Sequence, residues 1–539
     1  MDVKDFLDFG KASMDFIVNY METLRDRPVL PNVEPGYLSQ LIPEEAPKEA
    51  ETWQEVFKDI ERVIMPGITH WNSPNFYAYY PSSQSYASII GELLCAGIGG
   101  VGFSWICSPA FTELEVITLN WLGKMLNLPS EFLNCGNGSG GGVIQGSASE
   151  TTMICLIAAK DRKIRRIKSI HPDWDEHIIK SKLVAYSSDQ ANSSVEKAGL
   201  LTSVQMKLLP TDNNCSLRGE TLLRAIEKDL KDGLIPCYVC ATLGTTGTCA
   251  FDNLEEIGPI CNQYEIWLHI DAAYAGAAFI CPEYRHLMAG VQYADSFNVN
   301  CHKWLLLNFD CSAMWVKNSK YLIESLSVNR IYLAYDKEGL APDYRVCFFL
   351  KYYFNFVYEF LTIHYVTSLL QHWQISLGRR FRSLKLWFVL RLYGIEGMQR
   401  HIRNSISLAQ KFADYVESDE RFELVTNSMA LICFRLKGDN NWTKELLTRL
   451  TERKRIYVII ASLCEKYIIR FCISSRLCQE KDIEFAWKEI SEQATEILQT
   501  KLRPIEEILT QSSVKSYDDI VLRIENSKHK SNNITQKIT

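Results

Sequence analysis

Hydrophobic positions recur with a helical period in roughly the first 80 residues of this 539-residue chain. Amphipathic runs over Asp5–Leu24 and Glu51–Ile64 place apolar side chains three and four residues apart, which predicts two helices. A third helix is expected over Thr112–Pro129, with Thr112 as its cap and Glu115 three residues later. The first part of the chain is therefore predicted to be helical.

From about residue 140 to 320 the pattern changes to short apolar runs that separate helical stretches. The predicted strands are Leu183–Ser188, Cys237–Gly244, Ile266–Ala273, Ser296–Asn300 and Ser312–Lys317. Strands that alternate with helices indicate an α/β fold with a mostly parallel central sheet. Ligands in such folds bind at the carboxyl ends of the strands, so the polar residues there are the candidates for chemistry.

A second α/β segment follows from about residue 385 to 500, with a long helix from Arg382 and short strands near ALICFRL and YIIRFCI. The pattern divides the chain into four parts. They are a helical segment at 1–85, a large domain at 86–385, a smaller C-terminal α/β domain at 386–500 and a polar tail at 501–539.

Charge and composition narrow the class of protein. The chain carries 58 basic and 64 acidic side chains, and a formal charge of −6 argues against a nucleic-acid binder, which would present a basic face. The acidic N-terminus lacks the basic start and apolar run of a signal peptide. The 17 cysteines are scattered and odd in number, which indicates reduced thiols rather than a disulfide framework. We therefore expect a cytoplasmic protein.

One apolar segment, Phe348–Leu370, is long enough to span a bilayer. It also contains Lys351, Asn355, Glu359 and His364, each of which is costly in lipid. We therefore expect no membrane span, and a transmembrane helix remains the alternative interpretation.

Two short motifs carry the strongest chemical signal. In NVNCHKWLL, Lys303 follows a predicted strand beside His302, which suits a Schiff-base lysine whose ammonium form is disfavoured by burial. Taken alone, such a lysine is more often a solvated surface charge. In HIDAAYAGAA, Asp271 ends an apolar strand, where a buried carboxylate needs a cationic partner such as a pyridinium nitrogen. The alternative for Asp271 is an ordinary helix cap.

A phosphate site is predicted in GGGVIQGSASE, because backbone N–H groups and the hydroxyls of Ser147 and Ser149 open a helix there. The GxGxxG match that begins at Gly136 is interpreted as accidental, since no strand is predicted before it. The CxxC at Cys237–Cys240 has no second pair, which favours a buried strand over zinc. The aromatic run Tyr77–Tyr80 favours substrate contact, with core packing as the alternative.

Together and in this order, the motifs resemble those of the group II pyridoxal-phosphate decarboxylases, most closely the aromatic amino acid decarboxylases and their insect relatives. The resemblance runs from residue 1 to about 500, with one interruption. It implies the fold-type I (aspartate aminotransferase-like) architecture and pyridoxal 5'-phosphate (PLP) as the cofactor. It also implies an aromatic L-amino acid substrate and a homodimer, with 1–85 as a dimerisation segment and the active site at the subunit interface.

The same resemblance assigns roles to individual residues. The cofactor is held covalently by Lys303 and at its ring by Asp271 and Ala273, and its phosphate by Ala148, Ser149 and Asn300. The residues expected to line the site are His302 and Thr246, with Asp252 near Lys303. The substrate pocket is formed by Trp71, Tyr79, Tyr80, Pro81 and Ser82, and by Val101 and Phe103 from the other subunit. Tyr332, with Tyr335 as a substitute, is expected on a mobile loop as the proton donor.

The residue that determines the expected product is Asn192. The amine-forming members have histidine at this position, whereas the insect aromatic acetaldehyde synthases have asparagine. Tyr80 in place of phenylalanine points the same way. Asparagine has no titratable proton, so protonation after loss of CO₂ should slow and leave time for reaction with O₂. We therefore expect L-dopa and the co-substrate O₂ to give 3,4-dihydroxyphenylacetaldehyde, CO₂, ammonia and peroxide, which by resemblance serves cuticle crosslinking. The alternative is an ordinary decarboxylase that makes dopamine.

The interruption in the resemblance is Val346–Gln371. Nine of its 26 residues are Phe or Tyr, which often reflect thymine-rich codons. A Val codon begins with GT and a Gln codon can end in AG, so we interpret the segment as a translated, retained intron. If the segment belongs to the protein, it could hinder closure of the catalytic loop, and the third alternative is an inactive family member.

Overall fold

The computed structural model describes residues 1–134, 139–327, 373–463 and 465–511. Its strands are β1 (Gly141–Gln145), β2 (Leu183–Ser188), β3 (Gln205–Leu209), β4 (Ile235–Thr242), β5 (Trp267–Asp271), β6 (Ser296–Asn300), β7 (Ser312–Val316), β8 (Phe422–Ser428), β9 (Leu431–Leu436), β10 (Ile459–Leu463) and β11 (Lys466–Cys472). Its helices are α1 (Val3–Thr23), α2 (Trp53–Asp59), α3 (Tyr86–Ile98), α4 (Pro109–Met125), α5 (Ala148–Ile170), α6 (Glu176–Lys182), α7 (Ser193–Thr202), α8 (Gly219–Lys231), α9 (Leu254–Gln263), α10 (Cys301–Trp304), α11 (Lys320–Leu326), α12 (Arg382–Ser418), α13 (Asn440–Arg453) and α14 (Glu480–Gln511).

The first seven strands form one sheet in the order β1-β7-β6-β5-β4-β2-β3. Strand β7 runs antiparallel to its neighbours β1 and β6, and the other pairs are parallel. Strands β2, β5, β6 and β7 are buried along their whole length, which explains why their sequences are nearly continuous apolar runs. The predicted, mostly parallel sheet is confirmed, and β2 and β6 have the predicted bounds.

The last four strands form a separate antiparallel sheet in the order β10-β11-β9-β8. The predicted long helix begins at Arg382, but its path bends at Gly394, whose φ of 62° and ψ of 177° lie outside the helical region and suit glycine. Helix α12 packs against α3 and also against β8, so it joins the two parts of the molecule. The predicted domain boundary between residues 385 and 386 therefore lies inside a helix.

One predicted helix start is wrong. Helix α4 begins at Pro109, because proline favours the first helical position, and Thr112 and Glu115 are buried inside it. The carboxylate of Glu115 accepts a hydrogen bond from the Ile144 N–H at 2.8 Å and forms an ion pair with Arg379. Glu115 therefore ties α4 to the edge strand β1.

Among the described ranges, we find neither a helix long and apolar enough to cross a membrane nor a group of side chains suited to bind a metal ion. Cys237 and Cys240 are buried residues of β4, as the strand interpretation predicts. The segment Phe348–Leu370 and the tail beyond residue 511 lie outside the described residues.

Candidate active site

Asp271 ends β5 at the carboxyl edge of the parallel strands, where it pairs in register with Thr242 of β4 and Asn298 of β6. Its side chain is only 4% exposed, and one oxygen accepts a hydrogen bond from the Ala273 N–H at 3.0 Å. No basic side chain of the described residues lies within ion-pair distance of this carboxylate. A buried carboxylate without an ionic partner suits a ligand that brings a positive charge, such as a protonated pyridine ring.

Lys303 lies on the short helix α10, directly after β6. Its ammonium nitrogen is 5.4 Å from the centroid of the Tyr80 ring. Burial lowers the pKa of Lys303, the negative charge of Asp271 raises it, and the positive charge of Arg470 lowers it further. The net effect is a lowered pKa, which favours the free amine that a Schiff base requires.

His302 is a neutral hydrogen-bond donor in this site. Its Nδ1 accepts a hydrogen bond from the Cys311 N–H at 2.9 Å, so the ring proton must be on Nε2. Burial, together with the charge of Lys303, lowers the pKa of His302 to about 4. Near neutral pH the imidazole is therefore uncharged and offers its Nε2–H.

The residues of the predicted phosphate site lie at the start of α5. Ser147 caps this 23-residue helix by accepting a hydrogen bond from the Glu150 N–H at 3.2 Å. The N–H groups of Ala148 and Ser149 belong to the first turn, where a helix offers no intrahelical acceptor. Asn300 uses its amide oxygen to accept from the Ser312 hydroxyl at 2.6 Å, which leaves its NH₂ group as a donor. Such a set of donors suits an anion.

The backbone turn at residues 243–251, after β4, connects the parts of the site. Its first residue, Leu243, donates its N–H to the main-chain oxygen of Asp271 at 2.9 Å. The Tyr80 hydroxyl donates to the Thr245 carbonyl at 2.7 Å. The Asn192 amide donates to the Thr246 hydroxyl at 3.0 Å. Residues from four distant parts of the sequence therefore meet at one turn.

Asn192 uses both ends of its amide. Its oxygen accepts from the Ser194 N–H at 3.0 Å and caps α7, while its NH₂ group bonds to Thr246. Asn192 and Ser149 line the same cavity of about 330 Å³, which lies between the starts of α5 and α7. The residue predicted to determine the product therefore lies beside the predicted phosphate site.

The aromatic run from Tyr77 to Tyr80 has two roles. Tyr77 is buried and stacks on Phe471 with 3.8 Å between ring centroids, so the core interpretation holds for it. Tyr80 stacks on Tyr274 at 3.7 Å, beside Lys303. Tyr79 is 45% exposed, and its hydroxyl lies 3.2 Å from that of Tyr457.

The remaining predicted pocket residues lie nearer the surface. Trp71 is exposed and stacks on Tyr79, while Pro81 is buried and Ser82 is partly buried. Val101 is 52% exposed and Phe103 is partly buried, and their contact with a second subunit stays a prediction. Tyr332 and Tyr335 lie outside the described residues.

Asp252 fixes two main-chain segments near the site through hydrogen bonds. Both carboxylate oxygens accept main-chain hydrogen bonds, from Leu217 at 2.8 Å and from Thr242 at 2.7 Å. Burial raises the pKa of Asp252 to about 7. Lys303 is not among its hydrogen-bond partners, and a direct effect of Asp252 on that amine stays a prediction.

Arg470 of β11 is a site residue that sequence reasoning missed. It is 2% exposed, donates to the Gly247 carbonyl at 3.0 Å, and places its guanidinium carbon 5.1 Å from the centroid of the Tyr80 ring. Within the described ranges it has no acidic ion-pair partner. A charged residue in the middle of the apolar run YIIRFCI was the signal that could have revealed it.

The arrangement fits PLP. Lys303 offers an amine, Asp271 an unpaired buried carboxylate, and the start of α5 a set of N–H donors. These groups would hold the aldehyde, the ring nitrogen and the phosphate of the cofactor, respectively.

Comparison with known proteins identifies the fold and the family. The model of the pyridoxal-dependent decarboxylase conserved domain matches residues 35–351 and 348–437, two pieces that meet within the predicted insertion. Aromatic-L-amino-acid decarboxylase of Drosophila simulans is 52% identical over 500 residues, covering 93% of each chain. The 3,4-dihydroxyphenylacetaldehyde synthase of Aedes aegypti is 51% identical over 500 residues, covering 92% of this chain and 91% of the relative.

Among solved structures, Oryza sativa TDC with PLP and tryptamine matches with a TM-score of 0.85 and 35% identity, over 92% of this chain and 99% of that one. The expected fold-type I architecture is confirmed. The two relatives differ in the reaction that their names state, although their identities to this chain are nearly equal.

Proposed function

The chain belongs to the pyridoxal-dependent decarboxylases, and we propose that it converts L-dopa, an aromatic L-amino acid, into 3,4-dihydroxyphenylacetaldehyde. One L-dopa, one O₂ and one water give one aldehyde, one CO₂, one ammonia and one hydrogen peroxide, so oxygen is reduced while the amine carbon is oxidised. The observation that carries the proposal is the placement of Asn192 at the site, with both ends of its amide engaged.

The residues described above would each hold one part of the cofactor. Bound PLP supplies an electron sink for the bond broken when CO₂ leaves. Asp271 would hold the proton on the ring nitrogen, because its carboxylate has no other charged partner among the described residues. Lys303 would hold the aldehyde carbon through its nitrogen, and its lowered pKa favours that bond.

The product depends on how fast a proton reaches the substrate α-carbon. The Asn192 amide cannot donate a titratable proton, and its NH₂ group is already directed at Thr246. A tenfold slower protonation corresponds to about 1.4 kcal/mol. The loss of one hydrogen bond to a proton donor is enough to supply that difference. Slow protonation gives dissolved O₂ time to react.

The test is a product assay on the purified holoenzyme. With L-dopa we expect oxygen uptake, and aldehyde and peroxide formed in equal amounts. Release of dopamine without oxygen uptake would refute the proposal. Asn192→His should shift the product towards dopamine, because imidazole can carry the missing proton.

A matched control for this variant is Asn253→His. Asn253 also caps a helix, by accepting from the Glu256 N–H at 3.1 Å, and it is not among the site residues. Each variant loses a helix cap, which costs about 1 kcal/mol of stability. Only the Asn192 variant should change the ratio of aldehyde to amine, and an equal change in both would mean that the effect is structural.

Two alternatives follow from specific observations. The decarboxylase of Drosophila simulans is 52% identical to this chain and the aldehyde synthase of Aedes aegypti 51%, so dopamine is the second candidate product. The family match is divided at residues 348–351, so an inactive member is the third. Cofactor absorbance together with turnover separates them, because an inactive member would bind PLP and release neither product.

A homodimer is part of the proposal. Leu93, Leu94 and Ile98 of α3, together with Val101 and Ile106 after it, are apolar side chains exposed by 44–59%. Several exposed apolar residues within one short stretch of the chain are typical of an interaction surface. Analytical ultracentrifugation should give the mass of two chains, and Leu93→Glu should shift it towards one.

A further inference from the structure

A column of buried polar side chains lies behind Asp271, on the face of the sheet that packs against α5. Strand β5 contributes Trp267, His269 and Asp271, which alternate onto the same face. Strand β6 contributes Ser296, paired in register with His269, and Asn298, paired with Asp271. No step of the proposed reaction uses His269, although it is fully buried two residues from Asp271.

The hydrogen bonds of this column favour one tautomer of His269. The Trp267 Nε1–H, which can only donate, bonds to the Ser296 hydroxyl oxygen at 2.8 Å. That hydroxyl lies 2.8 Å from His269 Nδ1 and has its own proton free to donate. A hydroxyl that accepts from Trp267 and donates to Nδ1 places the imidazole proton on Nε2, whereas an Nδ1–H would make the same oxygen accept twice.

His269 Nε2 and the amide oxygen and nitrogen of Asn298 form no hydrogen bond of ordinary geometry among the described residues, although the Asn298 side chain lies close enough to His269 to raise its pKa. All these atoms are buried. Unpaired polar atoms in a core are rare and need an explanation. Here they occur together on the face that carries Asp271, and burial lowers the pKa of His269 to about 4, so the imidazole is a neutral donor.

We propose that His269 is a positioning residue for Asp271, and that its Nε2–H and the Asn298 amide orient that carboxylate towards the cofactor ring nitrogen. A neutral donor suits this task, because it supports the carboxylate without cancelling the charge that a pyridinium ring requires. The inference rests on the proposed role of Asp271. In this proposal Ser296 and Trp267 do not contact Asp271 themselves and instead favour the proton on His269 Nε2.

The first experiment measures PLP binding to the full chain. His269→Leu should raise the PLP dissociation constant about tenfold, whereas His269→Gln, whose amide retains a donor, should stay within about threefold. His401→Leu is the matched control. His401 is partly buried, its buried Nε2 has no hydrogen-bond partner within the described residues, and burial also lowers its pKa to about 4, but it lies on α12. It should leave PLP binding unchanged.

The second experiment reads the tautomer directly in the holoenzyme labelled with ¹⁵N-histidine. The His269 signals should report a neutral ring protonated at Nε2, and Ser296→Ala should mix the two tautomers. A ring protonated at Nδ1 would overturn the inference, as would PLP binding by His269→Leu that equals the wild type. If His269→Leu does not fold, the inference is still tested by the tautomer of His269 in the wild type and by the PLP dissociation constant of His269→Gln.

Asp271→Asn separates this inference from the proposed function. If that variant binds PLP as tightly as the wild type, the proposed role of Asp271 fails and the inference fails with it. If Asp271→Asn weakens binding while the His269 variants do not, only the role of His269 is wrong.

Discussion

Tyr80→Phe removes one hydroxyl from the turn that joins the site. In the wild type this hydroxyl donates to the Thr245 carbonyl at 2.7 Å. The stack of the Tyr80 ring on Tyr274, with 3.7 Å between centroids, does not require the hydroxyl and should persist. The hydroxyl also bonds to the Cys249 thiol, so the variant tests the hydrogen bonds of the hydroxyl rather than the packing of the ring.

The size of the effect depends on which hydrogen bonds the Thr245 carbonyl keeps when the Tyr80 hydroxyl is removed. Thr245 O also accepts the Cys249 N–H at 2.9 Å, so it stays satisfied when the hydroxyl is removed. The loss should then be that of a net hydrogen bond, about 1 kcal/mol, instead of the larger penalty of an orphaned buried carbonyl. A difference of that size corresponds to about a fivefold change in a rate ratio.

The assay combines urea unfolding with product analysis on L-dopa. We expect the free energy of unfolding to fall by about 1 kcal/mol and the ratio of aldehyde to dopamine to fall by about fivefold. Tyr79→Phe is the control, because its hydroxyl is exposed and bonds only to Tyr457 among the described residues, and it should change stability by less than about 0.5 kcal/mol. Equal effects from both variants, or none from Tyr80→Phe, would refute the reasoning.

Three further results are expected. Borohydride reduction should attach PLP permanently to Lys303 in the wild type and to no lysine in Lys303→Arg. Peptide mass mapping would identify the labelled residue. Arg379→Met leaves the buried Glu115 carboxylate unpaired and should lower the free energy of unfolding by about 3–5 kcal/mol, whereas Arg224→Met, in an exposed ion pair, should cost less than about 1 kcal/mol. Burial lowers the pKa of His401 to about 4, so below about pH 6.5 the unfolded chain takes up a proton that the folded chain does not, and stability falls as the pH falls. His401→Leu should flatten that slope by about 1.4 kcal/mol per pH unit in acid titrations of unfolding.

Local patterns were enough to predict much of the sheet and the centre of the site. Strands β2 and β6 have the predicted bounds because short buried strands leave nearly continuous apolar runs. Asp271 and Lys303 follow neighbouring parallel strands, whose carboxyl ends meet at one edge, so their proximity follows from the fold class.

Other features depend on contacts between distant parts of the chain, and periodicity does not encode these. Arg470 meets Gly247 across 223 positions, and Arg379 meets Glu115 across 264. The start of α4 was misplaced for a local reason. Ser108 and Thr112 are both acceptable caps by residue type, and Pro109 favours the earlier one.

The turn at residues 243–251 has a consequence for how this chain can evolve. Tyr80, Asn192 and Arg470 each bond to a different residue of the same nine-residue stretch of backbone, so a shift at one contact displaces the others. Substitutions at these positions should be epistatic, and the effect of a pair should differ from the sum of the single effects. An ancestor could then have changed its reaction product only if the substitutions at these positions arose in certain orders.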